Sequence, residues 1–298
     1  MSFREVIIHT NSGIFSAPPG RVQSQPPVVD YRLAEDLEIK RLDHAITNKV
    51  MELCEPNCYG VDRPTRQFAQ LYAFVRSGSP SERIWGQPDN RLYMCIALSR
   101  LVHPTSVGFI YHAQLNFGPN GELTQCIPIS LEGYPTGAWI ADREGRDWLT
   151  DGDAAELEKL VGRMPLAVPA RITRAFWYNE LAATNYYADV RWVLIATALE
   201  SLIHTSRNGS GYQFRTRTAK MAVAVGLPVF TETEAGSFYD LRSHLAHGQE
   251  IGQLSPANYA LYRLGEDVLR KVIARAIMEP SFAATFADGT AIERNWGK

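Results

Sequence analysis

The sequence predicts an α+β chain in two unlike parts: an α+β N-terminal part over residues 1–145, then an all-α antiparallel helical bundle. Three observations predict it. Residues 107–117, VGFIYHAQLNF, concentrate β-branched and aromatic side chains. The turn Gly118-Pro119-Asn120-Gly121 then returns the chain into a second such run, 123–130, the mark of a hairpin. From residue 147 onward no strand candidate is found, and apolar residues recur at helical spacing between cap and stop signals. The 298 residues suffice for one large or two modest domains. The boundaries read as 1–145, 146–285 and a C-terminal tail, 286–298.

A short β-like run at residues 6–8 opens the chain and gives way to the turn-rich SAPPG and QSQPP. Residues 30–53, DYRLAEDLEIKRLDHAITNKVMEL, predict a charged helix capped by Asp30. A second helix is expected over 62–75, before RSGSPSER breaks the pattern. After the hairpin, Asp151 and Asp153 precede a short capped helix, AAELEKLVGRM, and Pro169 precedes the long stretch ARITRAFWYNELAATNYY. Residues 189–204 are apolar nearly all round, as in a central buried helix. The polar loop SRNGSG leads to FRTRTAKMAVAVG, which ends at Gly226. Thr231 or Thr233 begins a helix through FYDLRSHLAH that Gly248 closes, and Pro256 opens a last helix that stops before Pro280.

Thirty basic against 32 acidic side chains give a net charge of −2, which excludes a strongly basic nucleic-acid coat and an acidic disordered tail. Residues 1–145 carry 13 basic and 15 acidic groups and residues 146–298 carry 17 of each. Any RNA affinity of the second part must therefore come from a local cluster. Arginine supplies 24 of the 30 basic groups, a bias that coding composition accounts for as well as phosphate recognition does. Cys54, Cys58, Cys95 and Cys126 make no disulfide framework, and the C-x3-C pair lacks a second pair at zinc spacing. Free thiols in a reducing compartment are the better fit. MSFREVIIHT does not read as a signal peptide. The longest apolar stretch, 192–203, contains Glu200 and falls short of the roughly 20 residues of a membrane span. A soluble, cytoplasmic protein is expected.

Within the helical part, residues 239–248, YDLRSHLAHG, hold Arg242 and His247 with four residues between them. Arg4 and His9 share that spacing, and with four to six intervening residues allowed about two such pairs arise by chance in a chain of this make-up. Context separates them. TALESLIH at 197–204, FRTRTAK at 214–220 and YDLRSHLAHG follow in an order and at spacings that resemble HEPN domains, most closely the ApeA-like branch. DWLTDGDAAELEKL and RAFWYNELA fit the opening of the same domain, so the resemblance covers about 147–285. Arg4–His9 has no such surroundings.

The resemblance implies a HEPN-like helical bundle that forms a homodimer with the R-x4-6-H motifs of two protomers facing one another. In active relatives this makes an endoribonuclease that needs no metal and no cofactor, with RNA as substrate. Many serve as toxins or as defence effectors against phage, which adds an antitoxin or a phage-derived trigger to the conceivable partners. Other relatives are inactive and act as RNA-binding or dimerisation modules, here beside a ligand- or partner-sensing N-terminal domain.

The chemistry is arguable on its own terms. Metal-free RNA cleavage requires a base for the 2′-OH proton, an acid for the leaving 5′-oxygen and a fixed cation for the phosphorane charge. An imidazole ordinarily titrates near neutrality, which suits His247 to proton transfer. A guanidinium is always charged and spans two phosphate oxygens, which suits Arg242 to the phosphate. One such His per protomer is half an acid/base pair, a chemical reason for dimerisation.

At about 100° per residue, Phe238, Leu241 and Leu245 form a core stripe with Arg242 at its border, while His247 falls roughly 140° away. Either Arg242 reaches along the helix, or the last turn redirects His247, or the pairing runs across protomers. Glu200 sits among apolar residues and calls for a partner, Arg242 or its competitor Arg217, unless it points to solvent at the helix end. Ser243 and His244 are auxiliary candidates inside the motif or ordinary polar helix positions. His244 and His247 have no third metal ligand, and no metal site is expected. A helix C-terminus also favours His247 simply as a cap. Arg207, Arg215, Arg217 and Lys220, interleaved with Tyr212 and Phe214, form a candidate RNA strip, though a solvated loop and helix start would look the same. Trp177, Tyr178, Tyr186, Tyr187 and Trp192 read as core and dimer contacts, and His103 and His112 as core or surface residues.

Overall fold

The structure, a computed structural model, describes residues 2–10, 28–54, 69–78, 91–105, 107, 112–129, 148–185, 187–206, 209–247 and 255–297. The chain divides into two compact units, Met1–Pro165 and Leu166–Lys298. The class is mixed α+β, with all described strands in the first unit.

In that unit, β1 (Ser2–Thr10), β2 (Asp30–Arg32), β3 (Leu37–Arg41), β4 (Ala69–Ser77), β5 (His112–Phe117) and β6 (Leu123–Pro128) form one antiparallel sheet in the order β2-β3-β4-β1-β5-β6. Val6 of β1 lies opposite Val75 of β4 and Ala113 of β5. Side chains alternate between faces, so these residues share a buried cluster with Ala73, Leu115 and Phe117. Val50, Met51 and Cys54 of α1 (His44–Cys54) cover it. The opposite face carries Phe74, which meets the buried Trp148 edge-on at 5.4 Å. The Trp148 indole N–H donates to the Val28 carbonyl at 3.0 Å.

Two helices expected here are strands. Over 30–53, β2 and β3 come first and only the last part is helical, capped not by Asp30 but by Asp43, whose Oδ1 accepts from the Ala45 N–H at 2.7 Å. In LEIKR the buried Leu37 and Ile39 alternate with half-buried Glu38 and Lys40, a period of two beneath a charged composition. Pairing with β4 overrides the helix preference of Glu and Lys. The helix expected over 62–75 is β4 from Ala69 on, and 55–68 lie outside the described residues. The hairpin is present as β5 and β6, with Gly121 at φ 80° in its turn. Helix α2 (Arg91–Val102) went unread because residues 94–101 are buried on every side, leaving no polar face to mark a period.

Helix α3 (Asp151–Val161) begins with a capping box: Thr150 Oγ1 accepts from the Asp153 N–H at 3.2 Å, and Asp153 Oδ2 accepts from the Thr150 N–H at 2.8 Å. It packs on α2, and Tyr31 of β2 donates its hydroxyl to Glu158 at 2.7 Å. The helix therefore belongs to the first unit, and the division falls after Pro165 rather than at 145/146.

The second unit contains α4 (Ala170–Thr184), α5 (Ala188–Ile203), α6 (Ser210–Ala224), α7 (Glu232–Ala246), α8 (Pro256–Met278), α9 (Pro280–Ala283) and α10 (Gly289–Trp296). Helix α5 packs against α4, α6, α7 and α8, so it is central, as its apolar circumference predicts. Its buried Trp192 stacks on Phe238 of α7 at 4.6 Å and donates its indole N–H to the Phe238 carbonyl at 3.0 Å. Phe214 and Phe230 pack on the same Phe238 ring. Gly265 of α8 admits that ring, since a Cβ there would stand 2.4 Å from Phe238 Cε2. Thr231 caps α7 with Glu234 completing the box, and Ser255 caps α8 ahead of Pro256.

Arginines close the carbonyl ends. Arg171 of α4 donates to the Ser201 and His204 carbonyls at 2.9 and 3.0 Å, Arg217 of α6 to that of Ile203 at 2.7 Å, and Arg275 of α8 to that of Ala224 at 2.6 Å. The segment read as a tail, 286–298, carries α10. Its Trp296 stacks on Phe286 at 5.4 Å and its Glu293 takes the Arg217 guanidinium at 2.5 Å.

Candidate functional site

Helices α5 and α7 run in the same direction. Trp192 meets Phe238 near one level, and further along both helices Glu200 meets Arg242. Arg242 Nη2 donates to Glu200 Oε2 at 2.9 Å, with the side chains 26% and 14% exposed. Of the two partners open to Glu200, the fold selects Arg242, because the Arg217 guanidinium is spent on the Ile203 carbonyl, Thr205 Oγ1 at 3.0 Å and Glu293. The Arg242 guanidinium also lies over the Tyr239 ring, 5.6 Å from its centroid, the spacing of two residues one helical turn apart. Arg242 Nε is buried without a hydrogen-bond acceptor.

These contacts continue into the start of α6. Tyr239 donates its hydroxyl to Ser210 Oγ at 3.2 Å, and His204, the residue after α5, sets Nε2 3.3 Å from the Ser210 carbonyl. The His204 N–H donates in turn to the Glu200 carbonyl at 3.0 Å. Glu200, His204, Ser210, Tyr239 and Arg242 thus form a closed ring of contacts where α5 and α7 end and α6 begins. His204, Ser210 and Tyr239 were absent from the sequence-derived site. Only the placement of Tyr239 three residues before Arg242 signalled any of them.

His247 is the C-terminal cap of α7, exposed, with its N–H on the Ser243 carbonyl at 3.1 Å. No hydrogen bond or ion pair joins it to Arg242 within the chain, because Arg242 turns toward α5. His244 is exposed and Ser243 half-buried. The stripe expected on α7 is fully buried only at Phe238; Leu241 and Leu245 are half-buried.

Of the candidate RNA strip, Arg207 lies outside the described residues, Arg217 and Phe214 are buried, and Arg215 and Lys220 are exposed. Those two stand roughly 140° apart around α6, with the exposed Tyr212 between them, and Lys220 donates to the Gly297 carbonyl. Hydrogen bonds from Thr205 and then Arg217 hold the Glu293 carboxyl below the usual carboxylate range. Trp192 is core, Trp177 and Tyr178 are half-buried, Tyr187 is exposed, and Tyr186 lies outside the described residues. His103 and His112 are buried. Cys54, Cys95 and Cys126 are free thiols, and complete burial pushes that of Cys95 far up. Cys58 lies outside the described residues. Among the described residues no group of three or more His, Cys, Asp or Glu is arranged to hold a metal ion, and no helix is long and apolar enough to cross a membrane.

Compared with protein-family models, with curated proteins and with solved structures, the chain matches none.

Proposed function

We propose that the chain is a metal-independent endoribonuclease of the HEPN kind, acting as a homodimer and serving as a toxin or defence effector. The observation that carries this reading is the Arg242–Glu200 pair. A carboxylate on the central helix holds a phosphate-binding guanidinium near the end of α7, one and a half turns before the exposed His247. In the proposed reaction the 2′-oxygen attacks phosphorus and the 5′-oxygen leaves. Arg242 balances the charge gained on the phosphorane, and His247 gives or takes a proton. The separation of Arg242 and His247 within one chain supports a site built from two facing copies. Arg215, Lys220 and Arg207 are the cations available to guide RNA toward it.

The same separation, with His247 at a capping position, favours the second reading: a non-catalytic module that binds RNA or a partner protein. Incubation of the purified full chain with RNA decides between them. Cleavage by wild type that Arg242→Ala and His247→Ala each abolish, with loss of cellular toxicity in both, supports the enzyme. RNA bound but uncut by wild type, or cut equally by His247→Ala, overturns it.

A further inference from the structure

We propose that His204 is the general base of this site, an inference that rests on the endoribonuclease reading. RNA transesterification moves two protons, and His247 supplies only one imidazole per chain. His204 is a second one at the same end of the bundle. Because α5 and α7 run in the same direction and are tied by Glu200 and Arg242, the residues beyond that tie leave the bundle together. Four residues of helix carry the chain about 6 Å from Glu200 to His204, and five carry it about 7.5 Å from Arg242 to His247. His204, the first residue after α5, also lies one turn beyond Glu200, the partner of Arg242.

The hydrogen bond of the His204 ring assigns its role. A carbonyl oxygen only accepts, so the contact with Ser210 makes Nε2 the donor and leaves the lone pair of the neutral ring on Nδ1. A ring held through one nitrogen by a fixed backbone acceptor presents the other as a base. The residue is half-buried, its ring is held by the Ser210 carbonyl and its own carbonyl is pinned by Arg171. Among the described residues, the charged and titratable groups around it are Arg171 of α4, Glu200 of α5, Arg217 of α6, Tyr239 and Arg242 of α7, and Glu293 of α10, Arg217 and Glu293 both through Thr205. His244, by contrast, is exposed, and no described residue makes a contact that fixes one of its ring nitrogens.

The step balances without a further reactant. Nδ1 of His204 takes the 2′-OH proton as the O2′–P bond forms. The P–O5′ bond breaks, and His247, of whichever copy faces the RNA, protonates the leaving oxygen. The products are a 2′,3′-cyclic phosphate and a 5′-hydroxyl.

The test uses the full chain and a single-stranded RNA of mixed sequence, with His204→Gln as the variant, since its amide still donates to Ser210. Rate against pH, KM and melting temperature are measured for wild type and variant. The expected result is a kcat lower by about 10²- to 10⁴-fold, loss of the acidic limb of the profile, and little change in KM or melting temperature. A second substrate replaces the bridging 5′-oxygen with sulfur, which leaves without a proton. It restores His247→Gln and does not restore His204→Gln. A His204→Gln chain that keeps the wild-type rate and acidic limb, or that the sulfur substrate rescues, overturns the role of His204. If Arg242→Ala and His247→Ala still abolish cleavage in that case, the proposed function stands without it. A wild type that cuts no RNA overturns both.

Discussion

Removing Glu200 strands a guanidinium. At about 4 Å between charge centres and an effective dielectric near 20, the pair is worth about 4 kcal/mol before desolvation is counted. Exposed pairs measure about 0.2–1 kcal/mol, while loss of one partner from a buried pair costs about 3–5 kcal/mol. With side chains only 14% and 26% exposed, Glu200 and Arg242 lie nearer the second case. Among the described residues Arg242 Nε already lacks an acceptor, and no other carboxylate pairs with this guanidinium. Glu200→Ala should therefore destabilise the second unit by about 2–3 kcal/mol. The double-mutant cycle with Arg242→Ala should return a coupling of about 1–2 kcal/mol. Urea denaturation of the four chains, followed by far-ultraviolet circular dichroism, measures it. A coupling below about 0.3 kcal/mol, the level at which independent sites simply add, would refute the view that Glu200 holds Arg242 in place.

Two further predictions concern the scaffold. Gly265→Ala should destabilise by about 1–2 kcal/mol although Ala is the better helix former, because the new methyl meets the Phe238 ring inside a filled aromatic cluster. A melting temperature unchanged or raised in calorimetry would show that the ring gives way. Glu293 has a depressed folded-state pKa, so its stabilising effect is present above the ordinary carboxylate pKa and is lost as pH falls through the folded value. The melting-temperature gap between wild type and Glu293→Gln should be open at pH 7 and close on acidification below the ordinary carboxylate range. A gap independent of pH would show that the carboxylate charge is not what Thr205 and Arg217 hold.

What was legible in the sequence is what neighbouring residues decide. The start of α7 is narrowed to Thr231 or Thr233, of which the fold uses Thr231, that of α8 is written in Pro256, and the depth of α5 in its apolar circumference. The demand of Glu200 for a cation was legible too, because a carboxylate among apolar residues calls for one, but the choice between Arg242 and Arg217 was made by the fold. The strands β2 to β4 were not. Their short, charged segments become strands through partners far along the chain, and nothing local reports those partners. The ring through His204, Ser210 and Tyr239 stayed hidden for a similar reason, since it exists only once the start of α6 lies against α7.

The arginines at the helix ends bear on how the fold meets its solution. Dissolved salt weakens the attraction of charge for charge, whereas Arg171 and the Nη1 of Arg275, whose Nε pairs with Glu279 at 2.9 Å, meet neutral carbonyls. The joins they make, of α4 to the end of α5 and of α8 to the end of α6, therefore depend less on full opposite charges than the carboxylate pairs of Glu279 and Glu293 do. Ionic strength acts more on the exposed carboxylate pairs of Glu279 and Glu293. The carbonyl joins can thus persist at salt concentrations that weaken the ion pairs of the same bundle.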